Sequence, residues 1–230
     1  MKKESEKILY ELAAFAAVLK EDDAKYIKER IAQIIRCEGN DSKVGKFDLY
    51  EFAEKEKKNG ADTVLVGIYC EDGLKVATNG TALIAIKADY PKEHEAKVIK
   101  RDGEFVEKRY PNWKCVLPDT SDYTIVPIPD KKKFTDWISK CRAESKVENG
   151  GKGNRFDDNW LVTIAPHCYI KAVYMNLLLK AADALDATEM AVKQEERAYI
   201  ETEKGKALFC LVYNNYAEDV EKSNNLKILK

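Results

Sequence analysis

Apolar positions along this chain alternate between two spacings, and the changes of spacing mark its elements. In residues 5–20 the large apolar side chains fall at Ile8, Leu12, Phe15 and Leu19, the steps of one helical face. In residues 22–37 the pattern returns with Ile27, Ile31, Ile34 and Ile35, behind Glu21, Asp22 and Asp23, whose carboxylates suit a helix N-terminus. The run from Glu38 to Ser42 breaks that helix. The spacing therefore predicts a helical hairpin over 1–44.

The texture then changes. Residues 46–60 read as a short strand or loop followed by a charged helix that Asn59-Gly60 stops. Thr63 to Cys70 is strand-like, with a turn at Asp72-Gly73. Leu74 to Lys87 predicts strand, turn and strand about Asn79-Gly80, and a further hairpin turns at Asp102-Gly103. The aromatic run from Tyr110 to Pro118 cannot be helical across Tyr110-Pro111 or Leu117-Pro118, because proline disfavours a helical residue before it.

After Pro118 the layout restarts. Tyr123 to Ile128 is strand-like, and Pro129-Asp130 introduces a helix over about 131–146. A Gly- and Asn-rich loop covers 149–154, and Trp160 to Pro166 is a strand. Val173 to Leu185 is a helix with Tyr174, Leu177, Leu178, Ala181 and Leu185 on one side. Three antiparallel strands follow over 188–214, with a turn at Lys204-Gly205. Helix followed by strands thus occurs twice, which predicts an α+β fold. Its parts are a hairpin extension over 1–44, one helix-plus-strand unit over 45–128, a second over 129–216, and a tail over 217–230.

Composition narrows the function classes. The chain has 230 residues, 45% hydrophobic and 34% charged, which describes a soluble globular protein. Its net charge of −1 gives no overall attraction for nucleic acid or membrane, so either partner has to be met by a local patch. No run approaches the roughly 18 apolar residues of a membrane span. Glu4 and Glu6 interrupt what would be the start of a secretory leader. The cysteines (Cys37, Cys70, Cys115, Cys141, Cys168 and Cys210) form no C-x-x-C pair, and a reduced, cytoplasmic setting is expected.

Catalytic chemistry finds little support. His94 and His167 are the only histidines; His94-Glu95 lacks the second histidine of a zinc helix. Pro166-His167-Cys168 lacks both partners of a deaminase site. Gly150-Gly151-Lys152-Gly153 lacks the ending of a phosphate loop. Asp157-Asp158 and Glu195-Glu196 would point to opposite faces of a strand. The expectation is no enzyme, no metal and no cofactor.

The basic segment is more informative. Over 131–155 the cations Lys131, Lys132, Lys133, Lys140, Arg142, Lys146, Lys152 and Arg155 meet only Asp136, Glu144 and Glu148. In a helix, Phe134, Ile138 and Cys141 form a buried stripe and leave the cations outside. Lys131, Lys132, Lys133, Lys140, Arg142 and Lys146 are the candidate contacts to DNA phosphates, set against the plain alternative of a solvated helix face. Lys55, Lys57 and Lys58 on the earlier helix form a weaker patch, diluted by Glu54 and Glu56.

Three stretches carry a family resemblance. Leu74 to Lys87, with Ala77-Thr78-Asn79-Gly80 entering an aliphatic strand, resembles the A-T-D-G turn of the bacterial DNA sliding clamp, the DNA polymerase III beta subunit; Asn79 stands in place of Asp. Tyr110 to Pro118 is similar to the (F/Y)-P-(D/N)-(Y/W)-x-x-(V/I)-(L/I)-P segment that closes a clamp domain. Tyr174 to Val212 resembles the last half-domain, ending in Gly205 and the Ala207-Leu208-Phe209 strand. The resemblance spans Phe47 to Asn214 and does not include the N-terminal helices. It implies a clamp-like fold with helices toward duplex DNA, a role as a non-catalytic replication accessory, and assembly of several copies. It also implies a cleft that captures short peptides of polymerases or replication proteins. The second reading is an adaptor that keeps the fold without the ring.

Overall fold

The computed structural model describes residues 12, 14, 21–39, 43–44, 47–54, 65, 67–148, 160–213 and 227–229. All of the expected helix of residues 5–20 except residues 12 and 14, together with Lys55, Lys57 and Lys58 and the loop carrying Gly150 to Arg155, falls outside them. The chain forms two compact units that interleave along the sequence, one from 1–44, 48–79 and 87–111, the other from 45–47, 80–86 and 112–230.

In the first unit, α1 (Glu21–Gly39) starts with Glu21, Asp22 and Asp23 in its first turn, where carboxylates oppose the positive end of the helix dipole. Ala24 and Ile31 are buried and Tyr26 is exposed. The two-residue strands β1 (Lys43–Val44) and β2 (Phe47–Asp48) lead into α2 (Leu49–Glu54). Asp48 caps α2: its Oδ1 accepts from the backbone of Tyr50 at 2.9 Å and of Glu51 at 3.1 Å. Leu49, Tyr50, Phe52 and Ala53 are all buried. The Tyr50 hydroxyl donates to the carbonyl of Ile99 at 3.0 Å, fixing α2 to the sheet.

That sheet is built from β3 (Ile68–Glu71) and β4 (Leu74–Thr78), and from β6 (Lys97–Ile99) and β7 (Phe105–Val106). The intervening β5 (Ala82–Lys87) pairs in the second unit. The order is β7-β6-β3-β4, with Tyr69 opposite Val76 and Ile68 opposite Ile99. Gly67 is required where β6 passes: a Cβ there would lie 2.4 Å from Val98 Cγ1 and 3.0 Å from the Ile99 carbonyl.

In the second unit β8 (Thr124–Pro127), β11 (Glu189–Lys193), β12 (Arg197–Thr202) and β13 (Gly205–Cys210) join β5 in the antiparallel order β5-β13-β12-β11-β8. Ala207 faces Ile84, and Tyr199 faces Leu208. A smaller sheet holds β9 (Trp160–Ala165) between β10 (Cys168–Lys171) and β14 (Lys227–Leu229). The β9–β10 hairpin turns at His167, whose φ is +58°.

Helix α4 (Ala172–Leu185) packs against strands of both sheets, which explains why its burial extends beyond the expected stripe to Ala172, Met175, Leu179 and Ala182. Tyr174, expected on the buried side, is only partly covered. Helix α3 (Lys131–Glu148) buries Phe134, Ile138, Cys141 and Ser145, steps of four, three and four that trace one face. Lys227–Leu229 form β14, which pairs in parallel with Trp160–Val162 of β9.

Candidate nucleic-acid interface

The first turn of α3 is fixed by Asp130. Its Oδ1 accepts from the backbone of Lys132 at 2.7 Å and of Lys133 at 3.0 Å, and these bonds hold its carboxyl below the usual carboxylate range. The buried stripe then leaves the remaining faces of α3 to the six candidate cations. Lys131, Lys132, Lys133, Lys140 and Lys146 are exposed, and Arg142 is half-buried.

These cations do not share one environment. Lys131, Thr135, Ser139, Arg142 and Lys146 follow each other in steps of four, four, three and four, so they trace one line along the helix over about 22 Å at 1.5 Å per residue. That line carries no carboxylate of α3. The hydroxyls on it are turned inward: Thr135 donates to the carbonyl of Lys131 at 2.8 Å and Ser139 to that of Thr135 at 2.9 Å. Lys133 and Lys140 lie on a different face, three or four residues from Asp136 and, for Lys140, from Glu144. Lys132 lies between the two lines and has Asp136 four residues on. Lys131 is itself occupied, because its ammonium donates to Asp183 of α4.

Helix α3 is seated by aromatic contacts. Trp137 packs against Phe134 with centroids 6.1 Å apart and meets Trp160 of β9 edge-on at 6.4 Å. These contacts orient the helix without using any of its cations.

The second unit also contains a cleft of about 740 Å³. Pro118, Tyr123, Leu211 and Tyr213 supply its apolar walls, and Lys193 and Arg197 its cations. Lys193 is bonded to Asp122 at 2.9 Å and to Glu196 at 2.7 Å, which pushes its pKa up and depresses that of Asp122. Arg197 donates to the carbonyl of Val116. Glu195, at φ +58°, sits in the three-residue turn between β11 and β12. The sequence pattern marks none of the lining residues as a binding residue. The closest signal is the Tyr110 to Pro118 segment, whose last residue forms part of the rim.

Among the described residues no group of three or more His, Cys, Asp or Glu side chains is placed to hold a metal ion. Cys70, Cys115, Cys141, Cys168 and Cys210 are free thiols. Burial pushes the Cys70 thiol up to about 12, with the charge of Lys75 opposing the shift, so it is held as an unreactive thiol. No described helix is long and apolar enough to cross a membrane.

No family model matches the sequence, and no curated protein matches it. Solved structures do. The chain is similar to the DNA polymerase III subunit beta from Pseudomonas aeruginosa at 12% identity and a TM-score of 0.45, over 79% of this chain and 65% of that one. It is similar to the Helicobacter pylori beta clamp bound to a DNA ligase peptide at 12% identity and a TM-score of 0.47, over 79% and 64%. The subunit beta from Borrelia burgdorferi in complex with a natural product gives 12% and 0.44, over 71% and 60%. The chain spans less than two thirds of the length of each of these proteins.

Proposed function

We propose that this protein is a non-catalytic, clamp-like DNA accessory factor that holds duplex DNA by its phosphates through α3. Arg142 and Lys146, on a line that holds no carboxylate of α3, carry this reading; Lys131 at the start of the line is paired with Asp183. Cations on one helix face, with no acid of that helix among them, suit a phosphate backbone and offer nothing to distinguish bases. Such contacts release counterions, so the logarithm of affinity falls with the logarithm of salt by about 0.9 per phosphate neutralised.

The experiment is a salt titration of binding to a 30-base-pair duplex, followed by fluorescence anisotropy. Arg142→Gln with Lys146→Gln lowers the slope by about two phosphate contacts, while Lys133→Gln with Lys140→Gln leaves it nearly unchanged. A wild-type affinity insensitive to salt, or equal effects of the two pairs, would overturn the reading. Encircling a duplex requires more than one copy of a chain this size, so light scattering across a concentration series tests the ring separately.

The cleft favours a second reading, an adaptor that captures short peptides. Its apolar walls of Tyr123, Leu211 and Tyr213 beside paired charges suit an extended segment with aromatic or aliphatic anchors. Leu211→Ser with Tyr213→Ala should abolish capture of aromatic–aliphatic hexapeptides on an array and leave duplex binding intact. Undiminished capture would remove the cleft from consideration.

A further inference from the structure

We propose that the outer edge of β9 is a strand-acceptor site for an extended peptide pairing in parallel, and that Lys227–Leu229 of this same chain occupies it exchangeably. The reading concerns the small sheet of the second unit and does not depend on whether α3 binds DNA.

The acceptor is built from Trp160, Leu161 and Val162, which face Lys227, Ile228 and Leu229 in register. With β14 in place all three β9 residues are almost fully buried, at 3%, 0% and 0% exposed. A strand edge without a neighbour presents a row of unpaired N–H and C=O groups, a template on which another strand can pair. The filling strand is short, joined in only three register pairs, and parallel, the slightly weaker of the two ladder types. Short ladders of this kind open locally without the rest of the fold.

The hairpin has a second support besides β14. On its other edge the Val212 N–H donates to the Tyr169 carbonyl at 2.8 Å, an isolated antiparallel bridge. β10 pairs with β9 from Cys168 through Lys171. Val212, β10, β9 and β14 thus stand side by side, and three strand spacings amount to about 14 Å. The chain from Tyr213 to Lys227 reaches up to about 45 Å when extended. This connection is long enough for β14 to leave and return while Val212 stays bonded. Occupancy is also positioned to be felt at α3, which packs against β14 and contacts Trp160 through Trp137.

The test uses the full chain and hydrogen exchange read by mass spectrometry. Successive backbone N–H groups of a strand point to opposite sides, so one of Ile228→Pro and Leu229→Pro removes a ladder donor. That variant should speed exchange at Trp160–Val162 and at Phe134–Cys141 by at least tenfold, with Arg197–Cys210 unchanged. A synthetic peptide of the sequence Ser223–Lys230, added in trans, should restore protection at Trp160–Val162. Unchanged exchange in both variants overturns the proposal. So does loss of protection spreading to Arg197–Cys210, or failure of the peptide to restore protection, since either makes β14 a fixed core strand. A wild-type dimer that both proline variants dissolve would replace exchange within one chain by strand swapping between two copies, and would overturn it as well.

Discussion

The Lys131 ammonium donates to the Asp183 carboxylate, tying the first turn of α3 to the last turn of α4. Both side chains are 60% exposed, so the pair contributes at most about 1 kcal/mol to stability. Its larger consequence is electrostatic, because it neutralises the first cation of the carboxylate-free line. Asp183→Asn should therefore raise duplex affinity at low salt by about 2- to 5-fold, the equivalent of that energy, and steepen the salt slope by about one contact. Lys131→Gln in the wild-type background should change affinity little. A fall in affinity for Asp183→Asn would show that α3 is not the DNA-facing helix.

Asp130 makes the stability of α3 depend on pH. Its carboxyl is held low by the backbone N–H groups of Lys133 and Lys132, and an Asp with a depressed folded pKa stabilises the fold above its unfolded value near 3.8. That contribution is lost as pH falls through the still lower folded value. Asp130→Ala should lower Tm at pH 7 by about 2–4 °C. The gap between variant and wild type should narrow as pH drops below 3.8. A gap independent of pH in melts followed by circular dichroism would show that the cap is not acting as a carboxylate.

Much of the second unit is legible in local spacing. The stripe of Phe134, Ile138 and Cys141 is buried as its helical period requires, and β11, β12 and β13 fall within the strand-like runs of residues 188–214. What local spacing misses comes from distant contacts. The neutralisation of Lys131 depends on Asp183, 52 residues away, so local spacing separates Lys133 and Lys140, beside Asp136 and Glu144, from the carboxylate-free line but does not show that Lys131 is paired. β14 has only three residues and no period to detect, and its partner β9 lies far upstream. β5 pairs with β13 across more than a hundred residues, which is how the two units come to interleave.

That β5–β13 pairing depends on Gly205. Its φ of +150° is a backbone conformation that favours glycine, and a Cβ there would lie 2.2 Å from the Ala85 carbonyl oxygen and 2.9 Å from the Ile86 Cα. Both obstacles are backbone, so neither can rotate away. Gly205→Ala should cost about 2–3 kcal/mol in urea unfolding, the upper range for overpacking. Gly80→Ala, at φ +88° but with no atom within 4 Å of the added Cβ, should cost less, on the order of 1 kcal/mol. Equal costs at the two sites would mean that backbone conformation, and not the approach of β5, sets the requirement at Gly205.

Tyr110 provides the opposite kind of test, a substitution expected to stabilise. Its ring stacks on Tyr69 with centroids 4.7 Å apart and planes 8° from parallel. Its hydroxyl is buried and has no hydrogen-bond partner among the described residues. A buried hydroxyl without a partner forfeits its hydration, so Tyr110→Phe should keep the stack and raise stability by about 1 kcal/mol. Tyr110→Ala, which also removes the ring, should cost about 3 kcal/mol or more. Burial also pushes the phenol above its ordinary value of 10.0, favouring the neutral form in the fold. That contribution is fully present below pH 10 and is lost as pH rises toward the folded value, so wild type should lose stability above pH 10 faster than Tyr110→Phe. Urea unfolding of the three proteins at pH 7 and above pH 10 measures both effects. A destabilised Tyr110→Phe would mean that the hydroxyl has a partner in solution.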